Sequence, residues 1–330
     1  MRQTEKIRNN GLVQAIQRAA SVLLVAHIAP DGDAVGSLLA CGRLLSSLGK
    51  QVTMALADPV PEKYSFLPGA DAVVDAPSLS GRRFDLGLAL DCGDAGRMGG
   101  CADAYFACDV TAQLDHHATN PGFAVHNEVD GRASSTGCIL WRLMGALHVE
   151  ADAETALCIY CAISTDTGNF CFPSTDEETL LCASEMRAAG FDLGMAARRI
   201  HLIRETAHVR LLGRALATLR FFAGGSCTSM RLNAADYAAA GAGNEHCDGI
   251  VNYGINLPGV KMAYLLDERP EGIVKVSFRA VRPYDVASIA SALGGGGHRL
   301  AAGLRTAGDA EAVAAAIERA MAAQIGEAMA

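Results

Sequence analysis

The sequence lacks the features that mark several large classes of protein. No apolar run reaches the ~20 residues needed to cross a bilayer, so the chain does not read as a helical membrane protein. The opening Met1-Arg2-Gln3-Thr4-Glu5-Lys6 is charged and leads into no signal-like apolar core, so a soluble, cytoplasmic protein is expected. Basic residues are outnumbered, with a net charge of −8. That leaves no basic stripe of the kind long duplex nucleic acids require. Small phosphorylated substrates stay open, because a few arginines and a metal pair can handle them. There is no internal repeat, no low-complexity segment and no Pro/Gly/Ser tract that would act as a flexible linker.

What is present fills two cores. At ~150 residues per domain, 330 residues suggest two domains, and 50% hydrophobic residues can fill both. The charge is uneven: residues 1–210 carry 17 Lys/Arg against 25 Asp/Glu, whereas residues 211–330 carry 11 of each. The first part is therefore acidic, as a metal-gathering domain would be. Eleven cysteines form no disulfide pattern in a chain without an export signal. Cys41, Cys92, Cys138 and Cys182 sit in apolar runs, where a reduced thiol packs as a small hydrophobe. Cys158-x-x-Cys161 reads as buried helix packing rather than as a redox or metal pair.

Short apolar runs at residues 22–26, 51–56, 84–90 and 111–114 read as strands, and residues 34–48, 135–147, 154–163 and 175–189 as helices. This alternation implies parallel βαβ units. The pattern from 193 to 219 predicts one long helix with several arginines. Beyond it, residues 227–232, 260–266 and 273–278 read as strands, and 285–293 and 311–329 as helices. The expected fold is α/β with two domains: an N-terminal doubly wound, mostly parallel sheet (1–190), a helical connector (191–215) and a smaller C-terminal α/β domain (216–330), with the active site in the cleft between them.

Ligand-type residues follow the strands, and in parallel sheets ligands bind beyond the carboxyl ends. His27-x-x-x-Asp31-x-Asp33 places three of them at a strand-to-helix turn; the competing reading is an acidic surface turn with Asp33 as helix cap. Asp91 stands at a strand end, where it could bridge two ions, and Arg97 after it is either a phosphate contact or a solvated side chain. Asp115-His116-His117 is more specific, since adjacent histidines after a strand point in different directions and Asp115 can orient an imidazole. Asp166 is expected in the loop after a helix, and Ala133-Ser-Ser-Thr-Gly137 upstream as a helix cap. Carboxylates and imidazoles without thiolates suit Mn²⁺ or Mg²⁺. Further on, Gly294-Gly295-Gly296-Gly297-His298 reads as a loop whose N–H groups meet a phosphate, the alternative being an ordinary turn. Arg279 is a plausible partner for the same anion.

In this order the motifs resemble the DHH–DHHA1 phosphoesterases, within them most of all the nano-RNase/pAp-phosphatase group, over roughly residues 15–310. The resemblance implies one ion on His27, Asp31 and Asp91, and a second on Asp33, Asp91, His116 and Asp166, with Mn²⁺ preferred and Mg²⁺ acceptable. His117, backed by Asp115, would face the scissile phosphate. Arg279, His298 and the glycines 295–297 would hold the nucleotide end. Two positions depart from the family pattern: Ala280 stands where serine is common, and Cys171 where a basic residue often occurs. Both bear on substrate preference rather than on the hydrolytic core.

The implied reaction is metal-assisted hydrolysis of short RNA from an end and of the 3′-phosphate of adenosine 3′,5′-bisphosphate (pAp). Short RNA or a nucleoside bisphosphate is the expected partner, with room for a homodimer. Hydrolysis of cyclic or linear dinucleotides, of pyrophosphate or polyphosphate, and non-catalytic nucleotide sensing are the competing readings.

Overall fold

The computed structural model describes residues 7, 10–269 and 272–329. The chain folds as two compact units, Met1–Ile203 and Arg204–Ala330.

In the first unit, helix α1 (Asn10–Arg18) precedes β1 (Ser21–Val25), α2 (Gly32–Ser47), β2 (Gln51–Leu56), β3 (Val74–Asp75) and β4 (Leu86–Leu90). Then come α3 (Ala102–Phe106), β5 (Val110–Asp115), β6 (His126–Val129), α4 (Thr136–Ala146), α5 (Ala153–Asp166), α6 (Glu177–Ala188) and α7 (Leu193–Ala197). All six strands are parallel, in the order β3-β2-β1-β4-β5-β6. A parallel sheet covered on both faces needs strands that are apolar throughout, and every residue of Leu86-Gly87-Leu88-Ala89-Leu90 is buried. Leu24, Leu88 and Leu114 enter the core shared with the long helices. Leu23, Val25 and Ala89 face the other way, toward Tyr105 and Met98. The strand order reverses between β1 and β4, which opens a crevice at their carboxyl ends.

Small residues draw three helices together behind that crevice. A Cβ on Gly36 of α2 would lie 2.5 Å from the Cys158 carbonyl oxygen of α5. One on Gly137 of α4 would lie 2.6 Å from the Ala162 Cβ, also on α5. Cys158 and Cys161 are buried in α5.

The second unit comprises α8 (Thr206–Ala217), β7 (Arg220–Phe222), β8 (Cys227–Asn233), α9 (Ala234–Ala240), α10 (Val251–Ile255), β9 (Met262–Arg269) and β10 (Ile273–Ala280). It ends with α11 (Val286–Ala292), β11 (Gly296–His298), β12 (Ala301–Ala307) and α12 (Ala310–Met329). Its sheet runs β11-β12-β10-β9-β8-β7, antiparallel except for β8–β9. Val274, Val276 and Phe278 of β10 pack with α11 and α12 on one face. On the other, α8, α9 and α10 cover Met230 and Leu232 of β8 and Ala263 and Leu265 of β9. No helix among the described residues is long and apolar enough to cross a membrane.

The long connecting helix expected over 193–219 is not one element. After α7 the chain makes a π turn at Arg198–Leu202, leaves helical geometry, and restarts at Thr206. Ala196 and Ile200 belong to the core of the first unit, Leu211 and Ala215 to that of the second. The apolar spacing spans the break because two separate cores take its residues in turn. The division between the two units falls at 203/204, inside the segment expected as a connector.

Candidate active site

Beyond β1, the chain passes His27 and reaches Asp31, whose Oδ1 accepts the Asp33 and Ala34 N–H groups at 3.1 Å each and so caps α2. Asp31 is thus the cap, not Asp33. Asp33 sits in the first turn and is fully buried. Its carboxylate accepts the Thr136 N–H at 2.7 Å, the Gly137 N–H at 3.0 Å and the Ser37 hydroxyl at 2.9 Å. The segment before α4 therefore does two things: Ser135 caps the helix by accepting the Cys138 N–H, and the next two amides hold Asp33 at the positive end of the helix dipole.

Asp91 follows β4 directly, with φ of +57°. Left-handed backbone at a non-glycine residue is strained and clusters at functional sites. It is pinned here by the Asp91 N–H donating to the Leu114 carbonyl at 3.0 Å and the Thr136 hydroxyl donating to Asp91 Oδ1 at 3.1 Å. Asp115 ends β5, with His116 and His117 next. Asp166 is the last residue of α5, not a loop residue; the helical pattern outlasts its apolar residues because the final turn faces the crevice.

These side chains converge on Asp91. Its Oδ2 lies 3.5 Å from His27 Nε2, which is 3.6 Å from Asp31 Oδ1. Its Oδ1 lies 3.5 Å from His116 Nε2, which is 3.1 Å from Asp166 Oδ2 and 3.8 Å from Asp33 Oδ2. His27, Asp31 and Asp91 form one set of donor atoms within 4.8 Å of one another, and Asp33, His116 and Asp166 form another. Octahedral bonds of ~2.1 Å set neighbouring ligands ~3 Å apart, so both sets suit a small divalent cation. A third grouping, Asp91 with His116 and His117, suits one less well. His117 Nδ1 already lies 2.8 Å from Asp115 Oδ1, and that bond occupies the nitrogen facing Asp91.

Electrostatics favours cations as well. Burial opposes charge on His27, yet hydrogen bonds to Asp31 and Asp91 outweigh it and lift the imidazole to about 10. Burial, then Asp91 and Asp31, push Asp166 up to about 8. Burial and the charges of Asp91 and Asp166 hold Asp33 well above the usual carboxylate range. Without other positive charge the cluster keeps protons at neutral pH, and divalent ions would displace them. His27 is prepared for this, since its Nδ1 lies 2.8 Å from the Ile28 carbonyl, leaving Nε2 for a ligand role.

His117 faces outward, 42% exposed, and is oriented by buried Asp115. Asp115 is in turn held by Asn120, whose amide donates to its Oδ2 at 2.7 Å. Sequence reasoning missed Asn120, Thr136 and Ser37. Asn120, three residues after His117, carried a local signal as a polar side chain at the end of the motif. Thr136 touches Asp91 from 45 positions away and carried none. Arg97 is exposed, with its Nη2 3.0 Å from His27 Nδ1.

In the second unit Arg279 is half-buried on β10, and one of its guanidinium nitrogens donates to the Phe278 carbonyl. The expected glycine loop is not a loop. Gly296–His298 is strand β11, paired with Ala301–Gly303. A Cβ on Gly295 would lie 2.3 Å from the Gly303 carbonyl oxygen, and one on Gly297, at φ +140°, would lie 2.6 Å from Ala302 Cα. Close approach to β12 therefore accounts for these two glycines. His298 is exposed at the end of this edge strand.

Residues 21–163 match the DHH family, N-terminal domain, and residues 229–324 match the DHHA1 domain. The bifunctional oligoribonuclease and PAP phosphatase NrnA of Thermus thermophilus is 34% identical over 91% of this chain and 88% of its own length. The chain belongs to the DHH family. The protein of Bacillus subtilis with the same NrnA name is 24% identical, over 88% of this chain and 91% of that one. Among solved structures, an exopolyphosphatase-related protein from Bacteroides fragilis shares the fold, with a TM-score of 0.87 at 24% identity over 94% of both chains. The crevice residues His27, Asp31, Asp33, Asp91, Asp115, His116 and His117 all lie within the stretch that matches the DHH domain.

Proposed function

We propose that this protein is a metal-dependent phosphoesterase that removes nucleotides from an end of short oligoribonucleotides and hydrolyses the 3′-phosphate of pAp. The observation that carries this reading is Asp91, whose two oxygens each face a separate set of donors. The names of the Thermus and Bacillus relatives supply the substrate class. Two divalent ions, Mn²⁺ by preference, would be held by His27, Asp31 and Asp91 and by Asp33, Asp91, His116 and Asp166. When bound, they supply a nucleophile at neutral pH and Lewis acidity at the phosphoryl group.

The chain's own residues do the rest. Asp115 accepts from His117 Nδ1, which fixes the ring and leaves Nε2 for a phosphoryl oxygen. The Asp115 carboxylate raises the affinity of His117 for a proton, with burial opposing it; the imidazolium so favoured can donate to developing negative charge. Asn120 keeps Asp115 in place. Arg279, His298 and the backbone at Gly295, Gly296 and Gly297 are assigned to the nucleotide.

The test is a substrate series with Mn²⁺: RNA from two to about twenty-four nucleotides, pAp, cyclic di-AMP, linear pApA and pyrophosphate. Rapid cleavage of the shortest strands and of pAp is expected. Equal rates on long and short strands, or turnover confined to pyrophosphate or cyclic dinucleotide, would overturn the assignment. Binding without any turnover would make the protein a sensor.

A further inference from the structure

The sheet of the second unit is covered unevenly. Its α11–α12 face is packed across β9, β10 and β12. On the opposite face α8, α9 and α10 cover β8 and β9, residues 244–251 reach over β10 as far as Arg279, and the groove opens over the Lys275 end of β10 and over β12. The register puts Lys275, Ser277 and Arg279 of β10 on that face, opposite Arg305, Gly303 and Ala301 of β12. A groove of about 920 Å³ runs over them, lined by Tyr237, Arg269, Lys275, Ser277, Gly303 and Arg305 among others. Lys275 and Ser277 also line a recess of about 80 Å³ that reaches Arg279. Asp248 lines that recess too and faces Arg279, so the cations of the groove itself are Arg269, Lys275 and Arg305.

One feature of this face is unfavourable in the protein alone. Lys275 and Arg305 are direct cross-strand partners, both exposed, and like charges directly opposite destabilise an antiparallel pair. On its other flank Lys275 faces Asp267, which is buried and whose Oδ2 already takes the Tyr237 hydroxyl and the Arg269 guanidinium. That guanidinium also stacks on the Tyr237 ring, 4.4 Å from its centre. Three cations thus line the groove against one carboxylate. An anion over Lys275 and Arg305 removes the repulsion. The glycine at 303 leaves room beside it.

We propose that Lys275 and Arg305 form a second phosphate subsite that engages a backbone phosphate of an oligoribonucleotide beyond the nucleotide held at Arg279. This rests on the reading given under Proposed function. Four residue steps along β10 separate the Cα atoms of Lys275 and Arg279, ~13 Å at ~3.3 Å per residue. A mononucleotide held at Arg279 does not extend across both Lys275 and Arg305, one strand further on, whereas a strand of a few nucleotides does. The subsite therefore distinguishes short RNA from pAp, two substrates that the hydrolytic centre alone would treat alike.

The test compares wild type with Lys275→Gln/Arg305→Gln on pAp and on tri- and pentaribonucleotides with Mn²⁺, at several salt concentrations. KM for the oligonucleotides should rise about tenfold or more, with kcat retained and pAp hydrolysis changed less than about twofold. The log–log salt dependence of oligonucleotide binding should become shallower by about 0.7 for each phosphate the variant leaves unneutralised. Unchanged oligonucleotide KM overturns the subsite. So does an equal loss on pAp and oligonucleotides, which would make the pair structural. If wild type cleaves neither substrate, the functional reading fails on its own. Fluorescence anisotropy with a labelled trinucleotide then decides the subsite: a salt slope equal in wild type and the double variant overturns it.

Discussion

The two units hold their polar groups in opposite ways. In the first, Asp33, Asp91 and Asp115 are at most 2% exposed and stand against His27 and His116 in a crevice backed by three close-packed helices. In the second, Lys275, His298 and Arg305 are exposed on their strands. Buried like charges are tolerable only with counter-charge close by, so the first unit is preorganised for cations and for chemistry. Exposed cations couple weakly to the fold and are suited to capturing an anionic ligand. Changes in the first unit should accordingly fall on kcat, and changes in the second on KM.

The strongest way to break this division is Asp91→Ala. Removing the one carboxylate that faces both donor sets should lower kcat about a thousandfold or more, measured under single-turnover conditions with Mn²⁺. Residual activity within tenfold of wild type would show that the two sets do not depend on Asp91. Next comes Arg279→Ala, which should raise KM for pAp about tenfold to a hundredfold while leaving kcat within about threefold. A kcat loss as deep as that of Asp91→Ala would mean that the second unit takes part in the chemical step.

A finer cut is Asn120→Ala. Outer partners of this kind are typically worth ~10–100-fold in activity, and Asn120 acts only through Asp115 and His117, so about tenfold in kcat is expected. Its signature should be a shifted pH profile for kcat, because His117 loses part of what fixes it. A change confined to KM would remove Asn120 from the positioning chain.

Much of this arrangement was legible in the residues, and the exceptions have physical reasons. Strands β1, β4 and β5 stand out as apolar runs because a parallel strand covered on both faces has no polar side to show. Ligand-type residues at their ends are conspicuous for the same reason. Strand β6 escaped notice because His126-Asn127-Glu128-Val129 is an edge whose first two polar residues are half-exposed and whose Glu128 is buried, so it shows no apolar run. Strand β3 has two residues, too few for any period. Strand β11 is made of glycines and a histidine, and only its pairing with β12 makes it a strand. Thr136 and Ser37 serve Asp91 and Asp33 through tertiary contacts that spacing does not encode.

The smallest expected effect is on stability, and it tests whether the buried cluster awaits cations. Asp166 is raised from 3.8 to about 8 and His27 from 6.5 to about 10 in the folded chain. For each group the folded state binds the proton more tightly than the unfolded state does. Between the two values the folded state therefore carries more protons, and stability falls as pH rises. The Asp166 contribution is complete below about 4 and is lost through about 8; that of His27 is complete below 6.5 and is lost through about 10. The ion-free protein should accordingly lose several degrees of Tm between about pH 5 and about pH 9. Saturating Mn²⁺ should flatten this slope, since the ions take the place of the protons and stabilise the folded state by mass action. Scanning calorimetry with EDTA or Mn²⁺ across that range reads both. A Tm that climbs with pH in EDTA, or a slope that Mn²⁺ leaves untouched, would mean that the carboxylates of the first unit are neutralised by the fold itself, and the contrast with the open cationic face of the second would lose its basis.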